Sequence, residues 1–111
     1  MTIKKTQENN KLTMEIEGRL DSTTAPDLEN EVRATLKGSE DLVLDFAQLQ
    51  YISSAGLRVL LLAKKLLKNG GTLKICNVHL PVMEVFDITG FSDILDITPI
   101  QEDHKGAADA Q

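Results

Sequence analysis

Two adjacent serines, Ser53 and Ser54, are the residues of this chain best placed to do chemistry. They follow the apolar run Leu42–Phe46 and the segment 47–52, and they precede Ala55-Gly56-Leu57-Arg58-Val59-Leu60-Leu61, whose apolar residues have helical spacing. A hydroxyl there stands at a helix N-terminus, where backbone N–H groups are unpaired and the helix dipole favours negative charge. Two uses fit these residues. Either serine can cap the helix, or one can carry a phosphate whose charge the local field stabilises. A hydrolytic triad of Ser54, His79 and Asp21 has the right residue types, since both serine and histidine follow strand ends. It lacks the rest of the machinery: neither serine sits in a Gly-x-Ser-x-Gly elbow, and no segment reads as an oxyanion loop. No catalytic residue is assigned, and the chain is not expected to be an enzyme.

Other chemistries fall away on residue types alone. His79, His104 and the single cysteine, Cys76, lack the close spacing of a metal set, so neither a metal nor a cofactor is expected. Cys76 lies in an apolar run and reads as a buried structural thiol. Asn69-Gly70-Gly71 follows a helix instead of opening one, and it lacks the Gly-x-x-x-x-Gly-Lys-Ser/Thr order of a phosphate-binding loop. The chain therefore has no visible means of phosphorylating itself, and any phosphate must come from another protein. A net charge of −5, with 17 acidic against 12 basic residues and no Trp, opposes a nucleic-acid partner. The polar stretch 1–11 lacks the apolar centre of a secretory signal. Arg58, Lys64 and Lys65 break the longest apolar segment, so no membrane insertion is expected and a cytoplasmic location is.

The elements that must position the serines can be read from periodicity. With 111 residues, 41% hydrophobic and 26% charged, the chain is expected to form one globular domain. Residues 2–8 and 11–17 read as strands around an Asn9-Asn10 turn, with Leu12, Met14 and Ile16 alternating against polar neighbours until Gly18. After a polar loop, Ala25-Pro26 opens a helix with Thr24 as its cap, and Leu28, Val32 and Leu36 form its stripe. The order continues with a buried strand at 42–46, a helix over 54–68, a strand over 72–77, a helix over 80–88, a turn at Thr89-Gly90-Phe91 and an edge strand within 95–100. Leu42, Val43, Leu44, Leu60, Leu61, Leu73 and Ile75 are the expected core. The domain then spans residues 1–100, and 101–111 form a polar, loosely ordered tail. Paired strands followed by alternating strands and helices argue for a small α/β sandwich.

These pieces, taken in order, resemble a STAS domain of the stand-alone bacterial kind. The resemblance is carried by residues 18–26 (Gly-Arg-Leu-Asp-Ser-Thr-Thr-Ala-Pro), the run 42–52, the segment 53–61, Asn69-Gly70-Gly71 and residues 85–90, and it covers about residues 2 to 100. It implies a mixed, largely parallel sheet with helices packed mainly on one side. It also implies an anti-sigma factor antagonist, which binds an anti-sigma factor with serine-kinase activity and so frees a sigma factor. Aligned on Gly56-Leu57, the serine that such a kinase phosphorylates is Ser54, with Ser53 the alternative, and a serine phosphatase restores the active form. The implied partner surface comprises Asp21, Ser22, Thr23, Ser53, Ser54, Gly56 and Leu57. One departure is notable: the family usually places aspartate immediately before the acceptor, where this chain has Ser53. Two other uses of the fold fit the same residues, a nucleotide-binding protein and a subunit of a transport or sensory complex with an inert serine.

Overall fold

In this computed structural model, which describes residues 1–101, the alternation along the strands sets the architecture. The hairpin β1 (Thr2–Glu8) and β2 (Lys11–Leu20) turns at Asn9, whose φ of 57° is the left-handed value that such turns need. In β2, Leu12, Met14 and Ile16 are buried while Thr13, Glu15 and Glu17 are only half covered. Strand β3 (Asp41–Asp45) repeats this with Leu42 and Leu44 against Val43. Successive side chains point to opposite faces, and the parallel register aligns Leu12 with Leu42 and Met14 with Leu44. One face is thus the core and the other is open.

The main sheet runs β1-β2-β3-β5-β6, with β5 spanning Thr72–Val78 and β6 Asp96–Pro99. Only the β1–β2 pair is antiparallel. Helices α1 (Ala25–Thr35), α2 (Ser54–Leu66), α3 (Leu80–Thr89) and the short α4 (Phe91–Ile94) complete the chain. Ala25, Leu28 and Val32 of α1, with Leu57, Val59, Leu60 and Ala63 of α2, join the buried strand residues in one cluster. Its largest members are Phe46 and Phe86, whose ring centroids lie 6.4 Å apart. Gly90, at φ 83°, ends α3 in the left-handed conformation.

Several expectations are corrected. Gly18 does not end β2. Pairing with β3 ends at Glu15, and Gly18 itself, at φ 103°, pairs with Leu49 and marks a register shift before Arg19 and Leu20 continue along a strand the alternation did not reveal, β4 (Leu49–Ile52). Val43, Leu61 and Leu73 are half-buried instead of core. Val43 falls on the open face by period two, Leu73 borders a cleft beside Lys64 and Ile94, and Leu61 lies on the outer side of α2. Cys76 is half-buried on the open face, and partial burial together with Asp45 raises its thiol pKa. The expected tail, apart from Gln101, lies outside the described residues. Among the described residues no helix is long and apolar enough to cross a membrane.

Candidate functional site

The fork in β2 builds the site. Leu20 pairs with Ile52 in the parallel register, so the residues that follow them, Asp21 and Ser53, emerge side by side. The Ser53 N–H donates to the Leu20 carbonyl at 2.9 Å and locks the junction. Helix α2 begins against this same corner. A Cβ on Gly56 would lie 2.8 Å from Leu20 Cγ and 2.9 Å from Ile52 Cγ1, so only glycine lets the helix approach this closely. Gly56 and Leu57, expected on the partner surface, are therefore buried. Their contribution is to seat the helix under the two loops.

The two serines have separate roles. Ser53 is the N-cap, with extended backbone (φ −104°, ψ 175°), a carbonyl that accepts from Leu57 N–H at 2.9 Å and a hydroxyl that accepts from Gly56 N–H at 3.4 Å. Ser54 is the first helical residue, exposed, and its hydroxyl makes no hydrogen bond among the described residues. Which serine caps was open in the sequence; the backbone bend at Ser53 decides it.

Across the junction, the Asp21 carboxylate folds its own loop. Oδ1 accepts the N–H of Thr23 at 3.0 Å and of Thr24 at 3.1 Å, leaving Ser22 and Thr23 exposed at the tip. These bonds, Thr24's backbone N–H foremost, hold the Asp21 pKa below its ordinary value against a smaller opposing effect of desolvation. Thr24 does not cap α1 through its side chain, as the sequence suggested. Its hydroxyl donates to the Arg19 carbonyl at 2.7 Å and accepts the Asp21 N–H at 2.9 Å, because its helical φ/ψ turns it back into the loop.

Arg19 and Tyr51 form a further part of the site that sequence reading missed. They are register partners, and the Arg19 guanidinium carbon lies 4.2 Å from the Tyr51 ring centroid. Arg19 Nε also lies 3.6 Å from Asp21 Oδ2. The available signal was Tyr51 itself, an aromatic within a polar-looking segment. His79 is not brought into a triad. Its Nε2 bonds the Ala47 carbonyl at 2.7 Å, at the start of α3. No described group of three or more His, Cys, Asp or Glu could hold a metal ion. What the site offers is a free hydroxyl on a helix N-terminus, flanked by an ordered acidic loop and a stacked arginine.

Comparison with known proteins identifies the family. The family model described as "STAS domain" matches residues 2–107. A candidate anti-sigma factor antagonist, BtrV of Bordetella bronchiseptica, is 44% identical over 97 residues, covering 86% of this chain and 81% of its own. The anti-sigma-B factor antagonist of Bacillus subtilis is 33% identical over 97 residues, covering 86% and 89% respectively. Among solved structures, an anti-sigma factor antagonist from Mycobacterium paratuberculosis superposes with a TM-score of 0.81 at 21% identity, over 96% of this chain and 92% of that one, which bears on the fold alone. The mixed, mostly parallel sheet and the matched model agree: the chain belongs to the STAS domain family.

Proposed function

We propose that this chain is an anti-sigma factor antagonist, a regulatory binding protein that is switched off by phosphorylation of Ser54. The observation that carries the reading is the division of labour between the serines: Ser53 is engaged as the cap, while Ser54 presents an unengaged hydroxyl on the same turn. The relatives named as anti-sigma factor antagonists support the class of partner, an anti-sigma factor, and the free Ser54 hydroxyl is the reason to give that partner serine-kinase activity. Asp21, Ser22, Thr23, Ser53 and Ser54 form the contact surface for that partner, and a serine phosphatase reverses the modification.

The physical argument for a switch is local. A phosphate on Ser54 adds about −1.5 to −2 charge. The first-turn N–H groups and the helix dipole stabilise it, so the fold holds. The partner, in contrast, must desolvate that charge beside Asp21, which carries the same sign. A charge left buried and poorly paired in an interface costs on the order of 2–5 kcal/mol, and each ~1.4 kcal/mol is tenfold in affinity. Incubation with the cognate kinase and ATP is expected to add a single phosphate at Ser54, read by mass spectrometry, and to weaken binding to that kinase by tens to thousands of times. Ser54→Ala is expected to remain bound in the presence of ATP. Equal affinities of the phosphorylated and unphosphorylated forms would overturn the switch.

A further inference from the structure

Helix α2 carries a second message beyond its N-terminus. Ser54, Arg58, Leu61 and Lys65 are spaced i, i+4, i+7 and i+11, which places them on a single stripe of the helix. Leu61 is the informative member. It is a large apolar residue in the middle of a well-packed helix, yet it stands outside the core cluster and outside the half-buried residues packed against it. It lines, with Leu62 and Pro26, a groove of about 380 Å³ between α1 and α2, whose head is bordered by Ser22 and Ala55 beside the Ser54 site.

The charge of this groove is opposite to that of the protein. The chain carries −5 overall, but α2 contains Arg58, Lys64 and Lys65 and no acidic residue. On the α1 wall, Arg33 is already paired with Glu29 at 2.9 Å. Arg58 and Lys65 take part in no ion pair among the described residues. Two free cations therefore bracket one apolar side chain, about 10 Å apart along the helix at 1.5 Å per residue.

We propose that this stripe extends the contact surface for the anti-sigma partner from the two loops along α2, and that its occupant is an acidic amphipathic segment. The segment would set carboxylates against Arg58 and Lys65 and an apolar side chain on Leu61, in the manner of a helix laid in a groove. The inference rests on the proposed antagonist function and adds to it the location and chemistry of the contact. It also gives the switch a longer reach. A phosphate on Ser54 sits at the head of the same stripe, within about a screening length of Arg58, so its negative charge opposes an acidic segment at the head of the groove as well as at the serine.

Calorimetric titration of the cognate anti-sigma kinase into unphosphorylated protein at low and moderate salt tests this. Leu61→Asp and the pair Arg58→Glu/Lys65→Glu are compared with Lys4→Glu/Lys74→Glu, which makes the same change in net charge on the open face of the sheet. Kd is expected to rise about tenfold or more for both groove variants, as for anchors at an interface centre, and to stay within about threefold for the open-face control. The groove pair is also expected to lose most of the salt dependence of the wild type. Melting curves check that each variant is folded; where Leu61→Asp is not, the charge pair alone decides. Wild-type binding with unchanged affinity in the groove variants overturns the docking surface and leaves the antagonist function standing. Equal weakening by the open-face pair overturns it too, because net charge would then suffice. A wild type that never binds the kinase overturns the antagonist reading and this inference together.

Discussion

Glu40 and Asp21 perform the same local task at opposite ends of the parallel strands, under opposite conditions. Glu40, only 6% exposed, precedes β3 and accepts the N–H groups of Lys37 at 2.9 and 3.0 Å and of Gly38 at 3.0 Å. The Gly38 carbonyl in turn accepts from Asn69 and Gly71, and a Cβ on Gly71 would lie 2.7 Å from both the Gly38 and the Glu40 oxygens. The carboxylate and the Gly38 turn it holds are buried, although Lys37, Ser39, Asn69 and Gly70 around them are exposed. Asp21 gathers Thr23 and Thr24 in the same way but leaves Ser22, Thr23 and Ser54 open to solvent. A carboxylate that collects backbone amides serves as a structural clasp where it is covered, and as a rigid frame for recognition where it is not.

The comparison can be broken first at the closed end. Glu40→Ala removes the acceptor of buried N–H groups, and unfolding in urea is expected to show a loss of about 2 kcal/mol. A smaller loss than at the open end would mean that burial does not separate the two clasps. Next comes Ser53→Ala, which removes the cap of α2 while keeping Ser54. It is expected to cost about 1 kcal/mol, and kinase-dependent phosphorylation is expected to persist at Ser54. An unchanged denaturation midpoint would show that the 3.4 Å bond to Gly56 contributes nothing.

The smallest effect belongs to Asp21 and is best read against pH. Its folded pKa is lowered from 3.8, so its contribution is fully present above that ordinary value and is lost as pH falls through the depressed folded value. Glu40 titrates in the same direction: burial raises its pKa, but the Lys37 and Gly38 amides outweigh that and lower it from 4.5. Asp21→Asn, in a protein with Glu40 intact, is expected to flatten slightly the acid limb of the stability curve. A limb that steepens would reverse the assigned sign.

Much of this molecule is legible in its sequence, and the exceptions have physical reasons. The hairpin, the strands at β3 and β5 and the helices α1, α2 and α3 follow from clear periodicity, and their observed bounds differ from the expected ones by a few residues. Strand β4 was hidden because Gln50 and Tyr51 stand between its buried ends, Leu49 and Ile52, and break the alternation. Gly18 reads as a stop because glycine weakens a strand interior, whereas here it is the first residue of β2 to pair with β4 and marks the turn of the strand, through a register shift, onto its new partner. That turn is what joins Asp21 to Ser53, so the site's residues were visible but the reason for their proximity was not. Leu61 reads as core because α2 has apolar residues on more than one side, and periodicity alone does not say which side meets the sheet.

The fork in β2 has a consequence for how the molecule opens. From Lys11 to Glu15 the strand is held on both edges, by β1 and β3, whereas Arg19 and Leu20 pair with β4 alone. Local unfolding follows the least-supported backbone. The amides around Leu20 and Ser53 are therefore expected to exchange with solvent at a lower cost than those of Met14 or Leu44, a difference that hydrogen exchange reads directly.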